Sequence, residues 1–519
     1  MCVSRTVESS KQSGAALIAF LLVFVTAASF ALLKGLNEVA TKQHRDVQTV
    51  RALAEAKAAL IGYAAGANII PTGLCGSNCR RPGDLPCPDR DDDGLAGSGT
   101  SVPLPPPLCG GASGSTGGCL GLPGNCWRLG RLPWKTLGLP DLRDGNGERL
   151  WYAVSNNFKR NTRTSCGFSG AEGCLNSDSR GTVTVSAANG AVIHNGTNPD
   201  EWTPSGAVAM LLAPGRVLQR QGASSDQNRT CAGGSCDPNG KCITSPPTST
   251  PKCNPQNYLD VGGGEDNATF GDNTLDGFIQ GDIVDTNGQV IVNDTLLAIS
   301  YQDLIPLMEK RVVGEVLTCL KEYAAPTAPN NGRYPWAAKL DPAAAPNYDD
   351  GNGGRFGRLP EVLDDTKTAI GASAWDYWPN KDILSSSNCK LTSNASPNTW
   401  WLNWKEIVFY SVAGGFQPAA GPPACGPAPN NCLTVNPPSL AQDKKVVVIA
   451  AGKRLQTVAS GQPRTHATVS VQNSYKADIR NYLESDNATP LPPALPDDSF
   501  TLQALSSTFN DVVCKQGIC

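Results

Sequence analysis

The sequence predicts an α+β fold: a long N-terminal membrane-spanning helix followed by a duplicated, disulfide-stapled head with small antiparallel sheets and long loops. Three observations predict it. Residues 15–33 form one uncharged apolar run that flows without a breaker into a helix-patterned stretch. Seven blocks of the remaining chain occur twice, in the same order. The composition, with Gly 54, Pro 40 and Cys 19 in 519 residues, suits strands and cross-linked loops better than a helical bundle.

The apolar run reads AALIAFLLVFVTAASFALL, and Lys34 follows it. At about 1.5 Å per residue it just covers a bilayer core. Arg5 and Lys11 precede it, which the positive-inside rule keeps cytoplasmic. Behind it, Leu36, Val39, Ala40, Val47, Val50, Leu53 and Ala54 recur at helical spacing without a proline. The first stop signals are Gly62 and Gly66. One helix over 15–66 is therefore expected, on the order of 75 Å long. A cleavable secretory signal is the competing reading, with Ala27 and Ala28 near the cut. The unbroken helix and a glycine on the cytoplasmic edge of the run, Gly14, weigh against it.

The duplication organises the rest into a first head repeat, 67–300, and a second, 301–519. Leu60 and Tyr63 match Leu320 and Tyr323, at the ends of two helical stretches. GRLP recurs literally at 130–133 and 357–360, and Tyr152 and Phe158 match Tyr410 and Phe416. The apolar runs at 207–216 and 445–454 correspond, as do NYLD at 257–260 and NYLE at 481–484. Those short continuous runs suit strands buried on both faces.

Long Gly/Pro/Ser-rich insertions at 95–126, 163–180, 222–256 and 417–436 carry most of the cysteines. No Cys-x-x-Cys occurs and the three histidines, His44, His194 and His466, stand apart, so zinc is disfavoured against disulfides. Close pairs within one repeat are the candidates: Cys75 and Cys79, Cys166 and Cys174, Cys425 and Cys432, Cys514 and Cys519. Each would offset about 2–4 kcal/mol of chain entropy and requires an oxidising compartment.

The N-terminal pattern of Lys11, Gly14 and an uncharged helix resembles the class III signal of type IV prepilins and type II secretion pseudopilins. The resemblance covers about the first 65 residues. It implies a 1–14 leader removed by a prepilin peptidase between Gly14 and Ala15, and methylation of the new terminus. It also implies a single-pass inner-membrane protein with a pilin-like head in the periplasm or at the cell surface. Its partners would be other pilins or pseudopilins, met through the N-terminal helix. The family's usual glutamate at the fifth mature position is Ala19 here. That departure implies a minor subunit that initiates assembly or caps the tip, because the first subunit has no predecessor whose amine it must pair. The expected function is thus a minor pilin or pseudopilin, a structural subunit of a type IV pilus or type II secretion filament. The alternative is a membrane-anchored extracytoplasmic adhesin or carbohydrate-binding protein.

Asp89, Asp91 and Asp93 before Gly94 spell the first half of a calcium loop, with carboxylates at alternate positions and a glycine for the sharp turn. The twelfth position is Thr100 instead of glutamate, so this is no EF-hand. Secondary Ca2+ candidates are Asp141, Asp144, Asn146 and Glu148, and then Asp349, Asp350 and Asn352. Two readings stand at each place, a cation site or a solvated Asp/Asn/Gly turn. Trp400, Trp401 and Trp404 fit either core packing or an exposed ligand-stacking platform. No nucleophile elbow, phosphate loop or His-Glu-x-x-His is present, which argues against an enzyme. A net charge of -3 without a basic stripe argues against nucleic acid.

Overall fold

The structure, a computed structural model, describes residues 13–66, 81–97, 128–155, 158–159, 175–196, 206–231, 233–269, 277–325, 332–340, 354–360, 400–418, 422–427, 431–437, 443–455, 476–488 and 498–515. Helix α1 runs from Ser13 to Ala65. Its last four turns are tied down, with Ala52, Leu53, Ala56, Leu60 and Ala64 buried at four- and three-residue intervals. Helix α2, Tyr301–Tyr323, lies against it and starts from a capping box in which Ser300 and Asp303 satisfy each other's backbone N–H. Lys57 of α1 ion-pairs with Asp303 at 2.8 Å and donates to the Ala298 carbonyl at 3.0 Å, joining the two helices at that cap.

The expected membrane-spanning segment at 15–33 is corrected, and with it the prepilin-type membrane signal and the single-pass inner-membrane placement. Among the described residues, no helix is long and apolar enough to cross a membrane. Most of α1 lies beyond Lys34, where Glu38, Lys42, Arg45, Asp46, Arg51, Glu55 and Lys57 interrupt any apolar length. Residues 1–12 of the expected leader lie outside the described residues.

Each helix covers one four-stranded antiparallel sheet. The first sheet has strands β1, Leu129–Arg131, β2, Trp151–Val154, β3, Ala209–Ala213, and β4, Thr295–Ile299, in the order β1-β2-β3-β4. The second has β5, Phe356–Arg358, β6, Val408–Val412, β7, Val446–Ala450, and β8, Val512–Lys515, in the same relative order. Every neighbouring pair in both is antiparallel. Strands β3, β6 and β7 are buried at every residue. In the first sheet, Tyr152, Ala209 and Leu211 face the helices, while Trp151, Met210 and Leu212 face a second cluster with Tyr258 and Phe278.

The register corrects the repeat alignment by one residue. Tyr152 pairs with Leu211 and Tyr410 with Val448, so Leu211 is the counterpart of Val448. That shift brings Gly215 onto Gly452. The space a Cβ would take at these glycines is filled by the side chains of Asn293 and Asn510, which are themselves counterparts.

GRLP recurs for a physical reason. Gly130 packs against the backbone of Asp89, and Gly357 against that of Ala338, so closely that a Cβ would clash. Arg131 and Arg358 exchange backbone hydrogen bonds with those same two residues. Their guanidiniums then stack on aromatic faces: Arg131 lies 4.2 Å from the Trp151 ring and 3.9 Å from Tyr258, and Arg358 5.3 Å from Phe409 and 5.2 Å from Tyr482. Tyr152 and Tyr410 likewise donate to the equivalent carbonyls of Pro86 and Pro335. Both units share one continuous core, since buried residues of α1, α2 and both sheets belong to a single cluster.

Candidate functional site

Residues 89–94 make a tight loop next to β1. One Asp89 oxygen accepts from the backbone N–H of Asp91 at 3.2 Å and Asp92 at 2.9 Å, and the other from Gly94 at 2.7 Å. Asp92 and Gly94 adopt left-handed backbone, φ 64° and 85°. The loop gathers one oxygen each from Asp89, Asp91 and Asp93, all within 4.8 Å of one another. Asp89, Asp91 and Asp92 are buried. Oδ1 of Asp91 is buried without a hydrogen-bond partner. By donor chemistry the triad suits a hard cation, and the orphaned oxygen is a free ligand for one.

The chain supplies its own countercharge. Nζ of Lys241 sits 3.2 Å from Asp91 and 2.9 Å from Asp93. Asp92, turned the other way, meets Arg149 at 2.9 Å, Lys252 at 2.8 Å and Arg131 at 3.9 Å. Three carboxylates therefore face four cations, while Asp89 is held by backbone N–H groups. The disulfide Cys242–Cys253 closes a loop that begins just after Lys241 and contains Lys252, and the N–H of Cys242 donates to the Asp91 carbonyl at 2.7 Å.

The electrostatics divide Asp89, Asp91 and Asp92. Burial and then repulsion from Asp92 push Asp89 well above the usual carboxylate range. Burial and Asp93 raise Asp91 less far. Burial alone would raise Asp92 too, but Arg131, Arg149 and Lys252 hold it below the ordinary value. Lys241 is partly desolvated, yet its hydrogen bonds to Asp93 and Asp91 raise it, so it stays an ammonium.

The secondary cation candidates are consumed elsewhere. Asp141 is bonded to Arg143 at 2.7 Å and to Arg149 at 2.8 Å, and Glu148 faces Arg229 at 3.3 Å. Asp144 is fully buried and accepts from the N–H groups of Asn146, Glu148 and Gly215. Its turn grips α1 instead: Gln48 donates to the Asp144 carbonyl, and the Gly145 N–H donates to Thr49. Asp349, Asp350 and Asn352 lie outside the described residues.

Of the two readings at Trp400, Trp401 and Trp404, the structure places them in core packing. All three are buried, at 4%, 0% and 0% exposure, and belong to the shared core beside α2 and β6. No ring face is open for a ligand, because these residues fill the volume behind the strand that follows them. Among the cysteines, Cys425 is bonded to Cys432 and Cys231 to Cys236, and Cys514 is also disulfide-bonded. Cys75, Cys79, Cys166, Cys174 and Cys519 lie outside the described residues.

Sequence reasoning missed Lys241, Lys252, Arg131 and Arg149 as partners of the acidic loop. Only Arg131 left a signal, through the repeated GRLP. Compared with family models, curated proteins and solved structures, the chain matches none.

Proposed function

We propose that the protein is a structural subunit that assembles through α1, a minor member of the type IV pilin and pseudopilin kind placed at a filament's end. One observation carries this reading. α1 continues beyond the head that anchors its C-terminal turns, and it keeps large apolar side chains in solvent both there and on the outer face of the turns held at Gln48 and Thr49. Val39, Val47 and Val50 are 66%, 60% and 61% exposed, and Leu21, Leu22, Phe24 and Val25 at least half exposed. At ~100° per residue the three valines fall within a stripe about 80° wide, the geometry of a helix–helix seam. A long helix with an uncovered apolar stripe fits packing against the helix of another subunit.

The end position follows from two heads sharing one projecting helix. α2 starts at its capping box and sends nothing beyond the head. A shaft that repeats one helix per head crowds a chain carrying two, whereas its end does not. The adhesin alternative finds less support, since the tryptophans that would have formed its platform are buried. The acidic triad fits Ca2+ as an auxiliary ion, taken up in exchange for Lys241.

The test is assembly of the full chain against a Val39→Asp/Val47→Asp/Val50→Asp variant. In filaments isolated from the source cells, immunogold should mark one end for the parent chain and none for the variant. The variant should melt at the parent's temperature, because these side chains touch no core. Labelling along the shaft would refute the end position. Undiminished incorporation of the variant would refute assembly through α1.

A further inference from the structure

The NYLD and NYLE blocks build the same buried network twice. In the first copy the N–H of Asp260 donates to Asp294 Oδ2 at 2.8 Å, and Asn267 Nδ2 donates to that oxygen at 2.8 Å. In the second, Glu484 N–H and Asn487 Nδ2 donate to Asp511 Oδ2, both at 3.0 Å. Asn267 also clasps the backbone of Ile279, as Asn487 clasps that of Thr501. The N–H of Asn293 donates to Asp260 and that of Asn510 to Glu484, closing each ring. Asp294 and Asp511 immediately precede β4 and β8, the outer strands of the twin sheets. Each network thus pins an outer strand to the turn that crosses over it.

Each ring also buries two carboxyls. Asp260, Asp294 and Asp511 are at most 1% exposed and Glu484 is buried. Oδ1 of Asp294 and Oδ1 of Asp511 have no hydrogen-bond partner. A buried carboxylate with an orphaned oxygen is expensive, while the neutral acid can turn its O–H toward the neighbouring carboxyl. Arg229 and Arg220 favour charge on Asp260, but Arg229 is engaged by Glu148 and Arg220 by Asp266. Beside Asp511 the dominant charge is Glu484, and Lys453, whose carbonyl accepts from Asn510, holds its ammonium over Tyr301.

We propose that each carboxyl pair retains a shared proton and acts as a latch, so that β4 and β8 are both released as the two protons are lost. Burial, then its partner, raises Asp294 and Asp511 well above the usual range, and burial raises Asp260 to about 6. In the unfolded chain these groups deprotonate near pH ~4. The folded state therefore binds more protons above that pH, and stability falls as pH rises through the folded values.

The test is a pH series on the full chain and on Asp294→Asn/Asp511→Asn, which keeps the acceptor oxygen and replaces the shared proton with an amide donor. Difference infrared spectra of the parent should show a protonated-carboxyl band that persists above pH ~5, where exposed carboxyls are ionised, weakened in the variant. The parent's melting temperature should drop as pH rises above about pH 5, and the variant's should drop less. An equal drop in both, or an unchanged band, overturns the proposal. Should the variant not fold, amide exchange in the parent decides. Corrected for intrinsic rates, it should accelerate with pH more at β4 and β8 than at β3 and β7, and uniform acceleration would count against the latches.

Discussion

Replacing Arg358 with lysine is expected to destabilise the protein by about 3 kcal/mol or more, although charge is conserved. Arg358 is 1% exposed, and its guanidinium donates to three carbonyls at once: Glu406 at 3.0 Å, Leu340 at 2.9 Å and Lys476 at 3.0 Å. An ammonium cannot reach three divergent acceptors from one point, so buried carbonyls are left unmade at roughly 1–3 kcal/mol each. It also loses the flat face that lies over Phe409 and Tyr482. Arg131→Lys should act in the same direction and also unsettle the acidic loop through Asp92. Arg480→Lys, whose ion pair with Asp478 is exposed, should leave the urea midpoint unchanged. A midpoint for Arg358→Lys equal to the parent's would show that charge alone matters at this site.

The second large effect is expected at Lys241. With Lys241 in place, calcium must displace an ammonium already bonded to Asp91 and Asp93, so the parent should respond weakly to it. Lys241→Met removes that cation and leaves carboxylates in mutual repulsion. The variant should melt lower in chelator and recover in calcium, gaining about 2.7 kcal/mol at a hundredfold excess over the dissociation constant. Adding Asp91→Ala should remove the recovery. A Lys241→Met protein indifferent to calcium would leave the loop as a turn neutralised by its own chain.

Much of the head was legible in the sequence because its signals are local. The continuous apolar runs of β3 and β7 read as strands covered on both faces, and they are buried at every residue. The repeated GRLP announced a shared constraint before its cause, a close backbone approach beside a stacked guanidinium, was visible. Elsewhere local pattern misled. A hydrophobic run reports that residues avoid water, not what covers them, and so 15–33 read as a membrane span. Three tryptophans in five residues allowed a platform beside the favoured core reading, and packing placed them in the core.

The sequence by itself determined the duplication, the strand-forming runs and the clustering of acids at 89–93, since each follows from neighbours along the chain. The tertiary structure alone decided what those acids face. Lys241 is 148 residues from Asp93, and Arg149 is 57 from Asp92. Coulomb energy depends on separation in space and on burial, neither of which chain distance records. The same holds for Asp294 and Asp511. As isolated letters they are ordinary turn acids, and only the folding of β4 and β8 over Asp260 and Glu484 removes the water that would have kept them charged.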